Sequence, residues 1–236
     1  VIEFQHVSKR YPERGDALRD LTFRLEAGEM AFLTGHSGAG KSTLLKLIGL
    51  LERPSRGSVR VGDADLARLP RRRVPAHRRR IGMVFQDHRL LAERSVFDNV
   101  ALPLVTAGLT RDEIGRRVRA ALDQVGLLKL ERALPLTLSS GEQQRVGIAR
   151  AVVGRPEVIL ADEPTGNLDP ELSREIFRLF ERFHQLGVSL LIATHDLDLI
   201  QSLGHRTLVL KQGRLVADAT PRPPEPRPEP DPALAS

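Results

Sequence analysis

Cysteine is absent from this chain of 236 residues. Its absence excludes disulfide frameworks, cysteine-ligated zinc sites, iron–sulfur clusters and thiol nucleophiles. A chain without cysteine also fits a reducing compartment.

Long apolar segments are missing too. The longest uninterrupted apolar runs have about five residues, far fewer than the roughly 18 that a membrane-spanning helix needs. The first residues, Val1-Ile2-Glu3-Phe4, have neither the basic region nor the apolar segment of a secretory signal. We therefore expect a cytoplasmic protein without transmembrane helices.

Aromatic residues are scarce, at 4% of the chain, with one Tyr and no Trp. This is too few for the stacking platforms on which proteins bind single-stranded nucleic acid. The net charge of +6 would ordinarily suggest nucleic acid or an anionic membrane as a partner. However, 31 of the 36 basic residues are Arg, a bias that a GC-rich genome produces. We therefore favour this compositional explanation and expect no nucleic-acid partner.

The fold class is predicted from short β-like runs that alternate with helical patterns, which is typical of an α/β fold with a mainly parallel sheet. Two runs are apolar on both faces, as strands covered by helices on each side are. The early pair instead alternates, which indicates an N-terminal antiparallel β subdomain. The predicted strands are Ile2–Val7, Leu21–Leu25, Met30–Thr34, Ser58–Val61, Ile81–Phe85, Val158–Ala161, Ser189–Ala193, Thr207–Leu210 and Arg214–Ala217.

A helical subdomain is predicted at about residues 88–153, inserted in an ATPase domain of residues 1–219. Three helical patterns follow one another between Ser95 and Val153. The second begins with a capping box between Thr110 and Glu113 and ends at Gly126. Residues 220–236 are rich in Pro and lack apolar periodicity, so we expect a disordered tail.

A phosphate-binding loop is predicted where the chain matches G-x-x-x-x-G-K-[ST], directly after the strand Met30–Thr34 and before a helix predicted over Ser42–Leu51. Glycines let backbone N–H groups approach a triphosphate, and the helix N-terminus adds its positive dipole end. We expect Lys41 to reach the β- and γ-phosphates of ATP and the Ser42 hydroxyl to ligate Mg²⁺. The predicted nucleotide-binding residues of this loop are Gly35, His36, Ser37, Gly38, Ala39, Gly40, Lys41, Ser42 and Thr43.

Two carboxylates, Asp162 and Glu163, follow the buried strand Val158–Ala161, at the sheet edge where α/β folds bind ligands. Two acids after a strand are often only a solvated loop. Beside a phosphate loop, Asp162 suits the Mg²⁺ shell and Glu163 suits the general base that orients or deprotonates the attacking water.

The segment Leu138-Ser139-Ser140-Gly141-Glu142-Gln143-Gln144-Arg145 resembles the signature motif of ATP-binding-cassette (ABC) ATPases, normally L-S-G-G-Q or L-S-G-G-E. The other motifs of that family occur in order over about residues 1–218. They are the aromatic Tyr11, the loop of Gln86, the D-loop Gly166-Asn167-Leu168-Asp169 and the switch residue His195.

The resemblance implies a role for each of these residues. Tyr11 would stack on adenine, His195 would contact the γ-phosphate, and Gln86 would meet the Mg²⁺ site and couple it to the helical subdomain. Taken singly, each residue also has a purely structural interpretation. Tyr11 could be an exposed aromatic, His195 a capping or packed histidine, and Gln86 a strand terminus. The family forms head-to-tail homodimers, in which Ser139, Gly141 and Glu142 would close on the γ-phosphate held by the partner's Lys41.

Four segments look most similar to the cell-division ATPases of this family: 34–48, 81–88, 145–153 and 162–169. The last is shared with lipoprotein-release and macrolide-export ATPases, which remain the alternative, whereas His36 and Gln86-Asp87-His88 favour cell division. This likeness implies an integral membrane subunit resembling FtsX, other cell-division proteins as partners, and a peripheral position at the inner face of the cell membrane. It also implies control of periplasmic cell-wall hydrolases.

Two rival functions fit the sequence less well. A nucleic-acid-associated ABC protein usually carries long insertions that this chain lacks. A non-hydrolysing nucleotide-binding module is disfavoured because Lys41, Asp162, Glu163 and His195 are all present.

Two features depart from the family's pattern: Ser140 replaces the first signature glycine, and the tail is long and Pro-rich. The basic run Arg71–Arg80 is either a solvated face or a contact with anionic lipid.

Overall fold

Two β-sheets organise the computed structural model, which describes residues 2–13 and 15–219. The strands are β1 (Ile2–Tyr11), β2 (Gly15–Leu25), β3 (Met30–Thr34), β4 (Arg56–Val61), β5 (Ala64–Asp65), β6 (Ile81–Val84), β7 (Val158–Asp162), β8 (Ser189–Ala193), β9 (Arg206–Lys211) and β10 (Arg214–Ala219). An antiparallel sheet has the order β2-β1-β4-β5. The second sheet has the order β10-β9-β3-β8-β7-β6 and is parallel except for the pair β9–β10.

Seven α-helices accompany these sheets in the described part of the chain. They are α1 (Lys41–Ile48), α2 (Val74–Arg79), α3 (Val96–Thr106), α4 (Arg111–Gln124), α5 (Ser140–Val152), α6 (Pro170–Gln185) and α7 (Leu197–Leu203). The α/β fold class with its mainly parallel sheet and N-terminal antiparallel sheet is confirmed. None of these helices has the combination of length and apolarity that crossing a bilayer requires.

Helix α1, which follows the phosphate loop, packs against strands of both sheets. Its buried residues Leu44, Leu45 and Ile48 share one apolar core with residues of both sheets. On β3, Ala31 and Leu33 belong to this core, whereas Met30 and Phe32 belong to the core on the other face. The alternation follows from the two-residue period of a strand, so a continuous apolar strand serves two cores at once.

The helices α3, α4 and α5 occupy the stretch predicted to be helical. As predicted, the Thr110 hydroxyl accepts from the Glu113 N–H while the Glu113 carboxylate accepts from the Thr110 N–H. Helix α4 ends at Gln124, and Gly126 has the positive φ of 72° that ends many helices. Residues 220–236, predicted to be a disordered tail, lie outside the described residues.

Several predicted bounds are wrong. Strands β1 and β2 are longer than predicted, because their outer faces are polar and weaken the alternating apolar pattern. Tyr11, predicted in a loop after the first strand, is the last residue of β1. The short strand β5 was not predicted. Helix α1 ends at Ile48 rather than at Leu51, since the chain turns through Leu50 at a φ of +50°.

The basic run 71–80 is not one uniform charged face. A 3₁₀ turn, Arg71–Arg73, is exposed and precedes α2. Further along, Arg80 forms a two-fold hydrogen bond with the carboxylate of Glu157, at 2.7 and 2.6 Å. Part of this run therefore stabilises the fold, whereas Arg71–Arg73 at its beginning and Arg79 near its end are exposed.

Within the same run, His77 is buried, with 4% of its surface exposed. Its Nε2 lies 2.8 Å from the carbonyl oxygen of Ile48, and its Nδ1 has no hydrogen-bond partner among the described residues. Burial lowers the pKa of His77, the hydrogen bond to Ile48 opposes this, and the charges of Arg80 and Arg78 lower it further. The folded protein therefore holds this imidazole neutral.

We predict that His77 makes stability fall in mild acid. The unfolded chain takes up a proton near the usual histidine pKa of about 6.5, whereas the folded chain does so only at lower pH. Between these two values the unfolded state binds more protons, so the free energy of unfolding falls as pH falls, by at most about 1.4 kcal/mol per pH unit. Urea denaturation at pH 7.5 and 5.5 should show a larger loss for the wild type than for His77→Gln. Equal losses would contradict the prediction.

Candidate functional site

The loop 35–40 connects the carboxyl end of β3 to the first residue of α1, Lys41. Gly40 occupies the N-cap position of α1 with a φ of 110°, and no side chain in the described part of the chain caps this helix. The N–H groups of the first turn therefore remain available to a ligand, and the helix dipole favours an anionic one. The loop has the strand–loop–helix geometry that the motif predicts, and its binding of phosphate stays a prediction.

Two glycines of the loop are needed for steric reasons. A Cβ atom on Gly35 would lie 2.2 Å from the carbonyl oxygen of Leu210 in β9. A Cβ atom on Gly40 would lie 2.7 Å from the backbone carbonyl oxygen of Ala17 in β2. Because both contacts are far below van der Waals distance, the loop can sit this close to both sheets only with glycine at these positions.

Lys41 is buried, with 8% of its surface exposed. Its ammonium group donates to the carbonyl oxygen of Gly35 at 2.7 Å and lies 3.4 Å from the Glu163 carboxylate. The amine is thus held at the mouth of the phosphate loop, where it can exchange these partners for phosphate oxygens.

Ser42 and Asp162 form the part of the site that suits a divalent cation. The Ser42 hydroxyl donates to Asp162 Oδ1 at 3.1 Å, joining α1 to the end of β7. Burial raises the pKa of Asp162, the neighbouring Glu163 raises it further, and the hydrogen bond from Ser42 and the charge of Lys41 oppose the shift. Hydroxyl and carboxylate oxygens are the hard ligands that Mg²⁺ prefers, so the residues present fit this ion.

Glu163 and His195 meet at the same sheet edge. They follow the adjacent parallel strands β7 and β8 and lie 2.8 Å apart, from His195 Nδ1 to Glu163 Oε2. Glu163 has a φ of +47°, an unusual conformation for a side chain of this size. Its backbone N–H donates to the Ala193 carbonyl at 2.9 Å, which holds that conformation in place. The carboxylate thereby lies between an ammonium and an imidazole.

A cavity of about 970 Å³ extends over this group. Gln86 and Tyr11, predicted from the family resemblance, both line it, and so does Val216 of β10. A Cβ atom on Gly166 would lie 3.1 Å from Gln86 Nε2, so the glutamine contacts the D-loop closely. The predicted residues that line the cavity are Tyr11, Gly35, His36, Ser37, Gly38, Ala39, Gly40, Lys41, Ser42, Thr43, Gln86, Asp162, Glu163 and His195.

The residues of the signature motif lie outside this cavity, at the start of α5. Ser139 is the N-cap of α5, and its hydroxyl donates to the Glu142 carboxylate at 2.8 Å in a capping box. Hydrogen bonds from the Ser139 backbone and hydroxyl lower the pKa of Glu142. Gly141 is packed against α6, where an added Cβ would lie 3.2 Å from Leu172. The structure thus does not bring Ser139, Gly141 and Glu142 to the cavity of their own chain.

Two supporting features were not predicted. The N–H of Gly213, in the hairpin between β9 and β10, donates to the Ala39 carbonyl of the phosphate loop at 3.1 Å. In the turn that follows Gln86, the carbonyls of His88 and Arg89 accept hydrogen bonds from the guanidinium of Arg150, at 2.6 Å each. Both acceptor residues have positive φ, so Arg150 of α5 stabilises an unusual turn. Nothing local to either sequence segment indicates these contacts.

Comparisons with known proteins agree with this geometry. The family model described as ABC transporter matches residues 18–166. The cell division ATP-binding protein FtsE of Escherichia coli K12 is 59% identical over 215 residues, covering 91% of this chain and 97% of that protein. FtsE of Mycobacterium tuberculosis is 48% identical over 219 residues, covering 92% and 95% of the two chains.

Solved structures are similar as well. The dimeric ABC transporter cassette MJ0796 is 32% identical, with a TM-score of 0.86 and coverage of 94% of this chain and 99% of that one. A second structure of this cassette is a post-hydrolysis state bound to ADP and phosphate, with 31% identity, a TM-score of 0.86 and the same coverage.

Proposed function

Because the chain belongs to the ABC transporter family and is an ATP-hydrolysing enzyme, we propose that its ATP turnover serves cell division, as the ATPase subunit of a complex with an integral membrane protein. The role in cell division rests on the 59% identity to the cell division ATP-binding protein FtsE. The geometry that supports ATP turnover is the Lys41–Glu163–His195 group beside Ser42 and Asp162.

We propose that the cavity binds Mg-ATP. The N–H groups of the phosphate loop and Lys41 would hold the β- and γ-phosphates, and Tyr11 would stack on the adenine. Ser42, Asp162 and Gln86 would hold Mg²⁺, which when bound neutralises charge on the phosphates and positions them.

Glu163 is the proposed general base. Its carboxylate, held by His195 and facing Lys41, would accept a proton from the attacking water once Lys41 has turned to the phosphates. His195, with 73% of its side chain exposed, can also reach toward a γ-phosphate in the cavity.

The first substitutions to test are Glu163→Gln and Lys41→Ala. Glu163→Gln should bind Mg-ATP as the wild type does but lose at least about 100-fold in turnover, since an amide cannot accept the proton. Lys41→Ala should weaken ATP binding, because it removes the one buried ammonium at the loop. Fluorescent-nucleotide titration and phosphate release measure the two effects.

Glu26→Gln is the control. It removes an exposed carboxylate whose one ion pair among the described residues is with Arg24, so it should change neither ATP binding nor phosphate release. Wild-type turnover in Glu163→Gln would show that another group is the base.

We propose that two chains form a head-to-tail dimer. Since Ser139, Gly141 and Glu142 lie away from the cavity of their own chain, they would complete the cavity of the second chain. The Ser139 hydroxyl would then leave the Glu142 carboxylate, to which it donates in the single chain, and donate to the γ-phosphate. The dimeric state of the similar cassette MJ0796 supports this arrangement.

Ser140 should be tolerated in this dimer. It is the first residue of α5 and is not among the residues with positive φ, so its side chain causes no backbone strain. In the Glu163→Gln background, ATP-dependent dimerisation measured by analytical ultracentrifugation should differ by less than about tenfold, or roughly 1.4 kcal/mol, between the native Ser140 and Ser140→Gly. Dimerisation more than tenfold tighter with glycine would show that Ser140 impairs closure.

The proposed membrane partner is a subunit resembling FtsX, with the chain peripheral at the inner, cytoplasmic face of the membrane. It would dock where the helical subdomain meets the core, near Gln86. Leu91 lies there, 47% exposed, with its N–H donating to the buried Asn99 side chain at 2.7 Å. We further propose that the complex controls periplasmic cell-wall hydrolases together with other cell-division proteins.

Coupling to this partner can be tested with Leu91→Asp. Membranes that contain the FtsX-like subunit should stimulate the ATPase activity of the wild type but not of this variant, because a carboxylate disfavours docking of an apolar surface. Leu186→Asp is the matched control, since Leu186 is 73% exposed but lies after α6, outside the helical subdomain. Equal stimulation of all three proteins would contradict the proposed docking site.

A further inference from the structure

Two histidines and a glutamate converge away from the nucleotide cavity. Glu181 and His184 lie in the last turns of α6, three positions apart, so they share one face of the helix. His205 lies directly before β9, after Gly204 ends α7. One ligand atom from each of the three side chains lies within 4.8 Å of the other two. This is the one such group of three in the described residues.

The three side chains are held together before any ligand arrives. His205 Nε2 lies 2.6 Å from Glu181 Oε1, and the rings of His184 and His205 are perpendicular with centroids 5.2 Å apart. The Phe32 ring, 6.2 Å from the His205 ring, packs beneath them. The side chains of His205 and Glu181 are only 21% and 26% exposed, so much of their hydration is already lost.

We propose that Glu181, His184 and His205 form a binding site for a divalent transition-metal ion of the zinc type. Two neutral imidazoles and one carboxylate are a ligand set that suits Zn²⁺, whereas Mg²⁺ and Ca²⁺ prefer oxygen ligands alone. At metal–ligand distances of about 2.0–2.2 Å, tetrahedral donors lie about 3.4 Å apart. The distances of 2.6 and up to 4.8 Å bracket that separation, so side-chain rotations suffice to bind the ion.

The Glu181–His184–His205 cluster lies far from the nucleotide cavity. Helix α6 begins beside the D-loop and has 16 residues, so its far end lies about 24 Å away. His205 precedes β9, which runs parallel to β3, and β3 ends at the phosphate loop. The cluster is therefore at the amino edge of the parallel sheet, opposite to the nucleotide. A bound ion would link α6 to the connection between α7 and β9 and would stabilise the fold by mass action.

The test uses the full chain, stripped of metal with a chelator and kept free of nucleotide and Mg²⁺. Titration with Zn²⁺ in a calorimeter should show one ion bound per chain, and Co²⁺ should give the visible absorption of a tetrahedral site. Saturating Zn²⁺ should raise the thermal midpoint. His184→Asn and His205→Gln should each weaken Zn²⁺ binding at least tenfold and abolish the Co²⁺ bands and the thermal shift.

Glu181→Gln is the second variant, because glutamine can still hydrogen-bond His205 but is a poor metal ligand; it should fold normally and bind Zn²⁺ at least tenfold more weakly. His6→Gln is the matched control. His6 Nδ1 lies 2.9 Å from the Asp20 carboxylate, an exposed histidine–carboxylate pair outside this cluster, so its loss should leave Zn²⁺ binding unchanged.

Zn²⁺ binding that survives in all three cluster variants, or that is lost in His6→Gln, would overturn the proposal and leave the cluster as a histidine–glutamate hydrogen bond with ring packing. The readouts need no ATP turnover, so failure here and failure of the proposed cell-division function can be told apart.

Discussion

The carboxylate of Glu163 is held between the ammonium of Lys41 and the imidazole of His195, at 3.4 and 2.8 Å. This arrangement requires three chain segments to end at one edge of the parallel sheet. It also requires Glu163 to keep a φ of +47°, a conformation that costs on the order of 1 kcal/mol for a residue with a Cβ. Other interactions in the fold must offset that cost. One of them is the hydrogen bond from the Glu163 N–H to the Ala193 carbonyl at the end of β8.

The sheet order satisfies this requirement. Strand β8 lies between β3 and β7, so the phosphate loop, His195 and the pair Asp162–Glu163 emerge side by side. Helix α1, packed between two sheets, fixes Lys41 and Ser42 at its first turn. Close contacts from β2 and β9 then leave space for glycine alone at Gly40 and Gly35. Both sheets therefore confine the phosphate loop.

The signature helix α5 belongs to the other core, on the opposite face of β3 from α1, and its first residues lie away from the cavity of their own chain. Its N-terminal residues Ser139 and Glu142 satisfy each other in a capping box, which stabilises α5 while keeping the serine hydroxyl occupied. Further along α5, Arg150 donates to the turn that follows Gln86. One helix therefore connects the proposed dimer surface to the turn that follows Gln86.

The sequence alone determined the features that depend on neighbouring residues. The phosphate loop, the α/β class and the capping box at Thr110 are encoded within short segments, because backbone hydrogen bonds and apolar periodicity act over a few residues. Even the family of the chain follows from ordered local motifs. The bounds of β1 and β2 were predicted less well, since their polar outer faces hide the strand pattern and Tyr11 proved to belong to β1.

Only the tertiary structure decided which distant side chains meet. The sequence predicted that Glu163 and His195 follow strands, but the strand order and the positive φ of Glu163 bring them into contact with each other and with Lys41. No local signal indicated that Arg150 donates to the turn after Gln86, or that His205 lies beside Glu181 and His184, although the spacing of the last two already places them on one helix face. Such contacts arise from the packing of whole helices and strands, a property that no short segment of the chain contains.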